Sequence, residues 1–139
     1  MGSTPTISMI LLSLLLIAGC GGGDDESDEG PLMRPGENCM ACHAFTVAGT
    51  AYPSASSPAS AGIAGVSVIV TDANGQETTL TTNAAGNFYT SATLAMPLRA
   101  VRLVRAGVTT AMGGAPNGAC ASCHTQPPSG GAPGRVFAN

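Results

Sequence analysis

The pentapeptide Cys39-Met40-Ala41-Cys42-His43 recurs as Cys120-Ala121-Ser122-Cys123-His124, and no other feature constrains this chain as much. The two copies hold four of its five cysteines and both of its histidines. The pattern C-x-x-C-H is the signature of covalent c-type haem attachment. Two thiols three residues apart can each bond one vinyl group of the same porphyrin. The histidine that follows then lies beneath the ring, where its imidazole can bind iron. Cys39, Cys42, Cys120 and Cys123 are therefore expected as thioether anchors of two c-type haems, with His43 and His124 as axial ligands.

The remaining cysteine bears on compartment. Residues Ile7 to Ala18 form an apolar run that ends at Gly19-Cys20. A dozen residues cannot span a bilayer, which takes about 20, but they match the apolar region of a secretory signal. Leu16-Ile17-Ala18-Gly19-Cys20 resembles a bacterial lipobox, although the segment Met1 to Thr6 lacks Lys and Arg. The resemblance implies that residues 1–19 are a signal peptide and that Cys20 is lipidated. Each buried methylene of such an anchor contributes about 0.8 kcal/mol. Gly21 after the cysteine points to the outer membrane of a bacterial envelope, facing the periplasm or the cell surface.

Gly21 to Gly23 lead into Asp24-Asp25-Glu26-Ser27-Asp28-Glu29, which holds five of the eight acidic residues. Residues 20–35 thus read as a solvated tether, with docking of a basic redox partner as the competing reading. The net charge of −3 argues against nucleic acid. The one local grouping of positive charge is Arg99, Arg102 and Arg105, read as a solvated face or as partners for haem propionates.

The body carries three Phe, two Tyr and no Trp, against nineteen Gly and ten Pro. A chain this short buries only about 60–70% of its unfolded surface, so flat apolar cofactors would add the surface its core lacks. From Ile63 to Met112 the pattern is that of β-structure. Val66, Val68 and Val70 fall on one face, as in a half-buried strand. Asp72-Ala73-Asn74-Gly75 supplies a turn, with Asn-Gly suited to positive φ. Gln76 to Thr82 forms the return strand, and Asn83-Ala84-Ala85-Gly86-Asn87 turns into a strand beginning at Phe88. Leu98 to Arg105 and Val108 to Met112 make two more strands around Ala106-Gly107.

The fold class expected is mainly β, a small antiparallel β-sandwich flanked by irregular haem-binding segments. The organisation expected is a signal peptide (1–19), a lipidated tether (20–35), a first haem-binding segment and linker (36–62), the sandwich (63–112) and a second haem-binding segment (113–139). Within the linker, Ala44 to Gly62 reads as an exposed connection.

The residues Gly65 to Gly75, with Thr81-Thr82-Asn83 and Gly86-Asn87-Phe88, resemble the carboxypeptidase regulatory-like, prealbumin-like β-sandwich. That resemblance spans about fifty residues and implies a non-catalytic scaffold. With a C-x-x-C-H motif on either side, residues 36–137 resemble a small di-haem c-type cytochrome lipoprotein of the bacterial envelope. The resemblance implies electron transfer, with redox proteins as partners.

There is no third histidine and no lysine, so a sixth iron ligand within the chain falls to methionine. Met33, Met40, Met96 and Met112 are the candidates, and Met112, eight residues before Cys120 on a glycine-rich approach, is the preferred distal ligand. A ligand from a second copy of the chain in a homo-oligomer, water, or an open position are the other options. Two alternatives stay open. Cys39, Cys42, Cys120 and Cys123 could form a zinc tetrathiolate or local disulfides, or the sandwich could serve as a surface interaction lipoprotein with no redox role. An enzyme is not expected: Glu37, Asp72 and Glu77 are isolated, and no histidine is left to serve as an acid–base group.

Overall fold

The computed structural model describes Gly30, Leu32 and residues 34–139. The expected signal peptide, Cys20, the acidic run and Met33 lie outside the described residues. Those described form a small β-sandwich of seven strands. They are β1 (Val47–Thr50), β2 (Ser67–Thr71), β3 (Glu77–Thr81), β4 (Asn87–Thr90), β5 (Ala100–Arg105), β6 (Val108–Met112) and β7 (Gly118–Ala119). Among the described residues no helix is long and apolar enough to cross a membrane.

One sheet is four-stranded in the order β3-β2-β5-β6, antiparallel throughout. Its inward face follows from the alternation of β2 and β5. Val68 pairs with Leu103 and Val70 with Val101, and all four side chains are buried. β-Branched residues suit a pleated, half-buried surface. The outward face carries Arg102, whose guanidinium pairs with Glu77 of β3. Ala106 and Gly107 both have positive φ, +47° and +80°, as the two-residue β5–β6 hairpin requires.

The second sheet is three-stranded in the order β4-β1-β7, with β4 antiparallel and β7 parallel to β1. Two of its strands come from outside residues 63–112. Val47 to Tyr52, placed by the sequence in an exposed connection, is buried at every position. A strand enclosed on both faces has no polar/apolar alternation to reveal it. Ser54 to Ala61 beyond it is largely exposed, as expected of a connection. Phe88, Val47, Ala51, Leu98 and Ala138 meet the valines of the other sheet to complete the core.

Two turns are built alike. In Asp72-Ala73-Asn74-Gly75-Gln76, Asp72 Oδ1 accepts from the backbone N–H groups of Asn74 (2.8 Å) and Gln76 (2.9 Å). In Asn83-Ala84-Ala85-Gly86-Asn87, Asn83 Oδ1 accepts from Ala85 and Asn87, both at 3.0 Å. Gly75 and Gly86 share φ of +83° at the same place in the turn. The first turn joins neighbours within a sheet, whereas the second carries the chain from one sheet to the other.

Asp72 does more than cap its turn, because its Oδ2 also accepts from Ala95 N–H at 3.1 Å. The N–H groups of Gln76, then Ala95 and Asn74, hold its carboxyl below the usual carboxylate range. The unfolded chain therefore binds a proton there more readily than the folded one. The stability Asp72 confers is full above the ordinary carboxylate range and disappears as pH falls through its lowered folded value. Urea denaturation at pH 7 and pH 3 is expected to show Asp72→Asn less stable than the parent at pH 7, with the gap narrowing at pH 3. A gap independent of pH would show that the charge plays no part.

Candidate functional site

Each C-x-x-C-H segment folds into the same small unit. A 3₁₀ turn spans Cys39–Ala41 in one and Cys120–Ser122 in the other. His43 N–H donates to Cys39 O at 2.9 Å, and His124 N–H donates to Cys120 O at 3.0 Å. The first thiol of each motif donates to the carbonyl two residues earlier, Cys39 to Glu37 at 3.7 Å and Cys120 to Gly118 at 3.6 Å.

The second motif is held by both ends of its loop. β7 pairs parallel with the start of β1, through Val47–Gly118 and Ala48–Ala119. The chain returns to the same edge at Phe137, which bridges in parallel to Tyr52. Tyr52 N–H donates to Val136 O, and Ala138 N–H donates to Tyr52 O, both at 2.9 Å. Residues 120–134 are thus an excursion whose two feet stand on one strand. The close approach depends on Gly49 of β1, where a Cβ would lie 2.9 Å from Cys120 Cβ and 2.7 Å from Phe88 Cζ.

Inside this excursion lie two adjoining cavities of about 250 and 190 Å³. Val101, Met112, Cys120, His124 and Pro133 line both. Cys123 and Leu98 add to the larger, and Phe88, Val136, Phe137 and Arg135 to the smaller. The histidine and methionine that divide them are in contact. His124 Nδ1 lies 2.7 Å from Gly134 O, and His124 Nε2 lies 3.1 Å from Met112 Sδ. A carbonyl only accepts, so Nδ1 carries the proton and donates. Nε2 faces a thioether that has no hydrogen to donate. A soft cation is one group that both atoms could bind.

Those residues fit a c-type haem. The walls are apolar, two thiols stand on them, and the Gly134 carbonyl fixes the imidazole as backbone carbonyls fix metal-ligating histidines. Imidazole and thioether both suit iron and other soft or borderline metals. At 3.1 Å there is no room for a third atom, so the unbranched Met112 side chain must withdraw for a metal to enter, a movement methionine makes readily.

The first motif has different surroundings. Cys42 and His43 are exposed and Cys39 half-buried. His43 stacks on Phe45 with centroids 5.1 Å apart, and Phe45 stacks on the exposed Tyr89 at 4.6 Å. Neither cavity described above is lined by a residue of this motif. Met96 is exposed and Met40 half-buried, so Met112 alone of the described methionines meets a motif histidine.

Burial in the apolar pocket pushes the Cys120 thiol up to about 12, and burial likewise raises Cys39. Cys39, Cys120 and Cys123 are free, and Cys42 is disulfide-bonded. Among the described residues no three His, Cys, Asp or Glu side chains converge on a metal-sized centre.

Arg99, Arg102 and Arg105 lie on a solvated face, the first of the two readings given for them. Arg102 is engaged with Glu77 on the outer face of the four-stranded sheet, while Arg99 and Arg105 are exposed. None of the three lines either cavity; Arg135 does. An isolated arginine in a Gly- and Pro-rich tail gave no signal of this in the sequence.

No protein-family model matches the chain, and neither a curated protein nor a solved structure matches it.

Proposed function

We propose that the chain is a di-haem c-type electron-transfer protein of the bacterial envelope, tethered through lipid on Cys20. The observation that carries this reading is the apposition of His124 Nε2 and Met112 Sδ within an apolar chamber walled by Cys120 and Cys123. In it, Cys120 and Cys123 would anchor the tetrapyrrole, Gly134 would orient His124 through Nδ1, and Met112 would offer a soft donor. Leu98, Val101, Phe88 and Phe137 supply apolar walls. Cys39, Cys42 and His43 would take the same roles at the more exposed first motif once the Cys42 disulfide is reduced. Bound haem would supply a one-electron iron couple, whose potential a methionine ligand raises relative to a second histidine. The β-sandwich serves as scaffold, in keeping with its resemblance to carboxypeptidase regulatory-like modules, and redox proteins are the partners.

One observation favours a second reading, a disulfide-stabilised interaction protein with no redox role: Cys42 is disulfide-bonded, and its partner is none of Cys39, Cys120 and Cys123, which are free. The two readings differ in mass. Full-length chain made in cells competent for cytochrome c maturation is expected to carry two haems that survive denaturation, as read by intact mass and by haem absorbance per polypeptide. A polypeptide free of covalent haem, with Cys42 still oxidised, would establish the disulfide reading instead.

A further inference from the structure

Arg135 is 9% exposed, although it carries a permanent charge. Its guanidinium is positioned by Nη1, which donates to Gly36 O at 3.2 Å, and by the ring of Tyr52, whose centroid lies 5.0 Å away. Gly36 is constrained in turn: with φ of +83°, a Cβ there would lie 2.5 Å from both Arg135 Nη1 and the Tyr52 hydroxyl. Tyr52 does not neutralise the charge. Burial raises its pKa above the ordinary phenol value, and its hydroxyl donates to Ala59 O at 3.0 Å. Among the described residues no carboxylate pairs with Arg135, and its buried Nε has no hydrogen-bond partner.

A buried, uncompensated cation with an idle N–H is costly. Arg135 is also among the residues that line the smaller cavity, with Phe88, Met112, Cys120 and His124. We infer that Arg135 is an anion-binding residue, whose guanidinium takes a carboxylate of the tetrapyrrole held at the second motif. The inference rests on the haem reading above and adds to it a specific polar contact. A guanidinium suits this task because its planar fork matches a carboxylate.

Full-length chain produced without haem attachment is titrated with protoporphyrin IX and, separately, with its dimethyl ester, following porphyrin fluorescence. The ester keeps the flat apolar ring and removes the carboxylate charges. A hydrogen bond to a charged group is worth about 1.5–3 kcal/mol, which corresponds to a preference for the diacid of at least about tenfold. Arg135→Gln is expected to abolish that preference by weakening the diacid and leaving the ester unchanged, and Arg135→Lys to retain much of it. Equal binding of acid and ester by the parent, binding of neither, or an undiminished preference in Arg135→Gln overturns the inference. Intact mass from maturation-competent cells keeps the two ideas separate. A diacid preference without covalent haem preserves the anion site and removes the electron-transfer reading. Two covalent haems without a diacid preference do the reverse.

Discussion

Replacing Cys120 and Cys123 together by alanine is expected to halve the covalent haem, from two groups per chain to one. The second motif would keep its histidine and its chamber but lose both sulfurs that can bond the porphyrin. The first motif should be untouched, because its turn closes on its own hydrogen bonds, Cys42 N–H and His43 N–H to Cys39 O. Alanine is smaller than cysteine and creates no clash against Gly49, so the strand beneath should hold. Intact mass and haem absorbance per chain read the result. Loss of both haems would mean that the motifs are filled cooperatively, and retention of both would remove the second motif from the assignment.

Phe88→Ala is expected to produce the largest loss of stability, about 3–5 kcal/mol in the chain without haem. Phe88 is 1% exposed, reaches across to Gly49 and walls the smaller cavity. Truncation would enlarge a void that already exists, and the paired backbones of β1 and β4 leave little freedom to collapse into it. Domains of this size have about 5–15 kcal/mol in total, so the variant should be partly unfolded under mild denaturant. Tyr89→Ala, one residue along and 41% exposed, provides the control and should cost under about 1 kcal/mol. Urea midpoints compare them; equal losses would show that Phe88 is not a core anchor.

The four-stranded sheet was legible in the sequence because each of its strands obeys a simple rule. β2 and β5 alternate, β3 is rich in threonine, and the β5–β6 hairpin closes on Ala106-Gly107. The three-stranded sheet was not, for a different physical reason at each strand. β1 is buried on both faces and includes Ala48 and Gly49, so neither periodicity nor bulk marks it. β7 is two residues long and exists only because β1 offers it an edge. Its counterpart at Phe137 lies in a tail that reads as loop.

At the site, the spacing of Cys120, Cys123 and His124 was visible from the chain, and Met112 was reasoned from its short sequence distance. Gly134 and Arg135 were not visible. Their roles depend on the return of the tail to β1, a long-range pairing that no local pattern encodes. The repeat of the Asp72 turn at Asn83 was legible as two turns, but the change of sheet at the second was not.

The two feet of the second-motif excursion have a temporal consequence. Polypeptides emerge amino end first, so residues 120–124 become accessible before residues 136–138 can dock beside Tyr52. Until then the smaller cavity lacks the wall that Val136 and Phe137 supply, whereas the lining of the larger one, where Cys123 stands, ends at Pro133 and is already made. The carboxyl-terminal residues thus complete one of the two cavities and leave the other as it was.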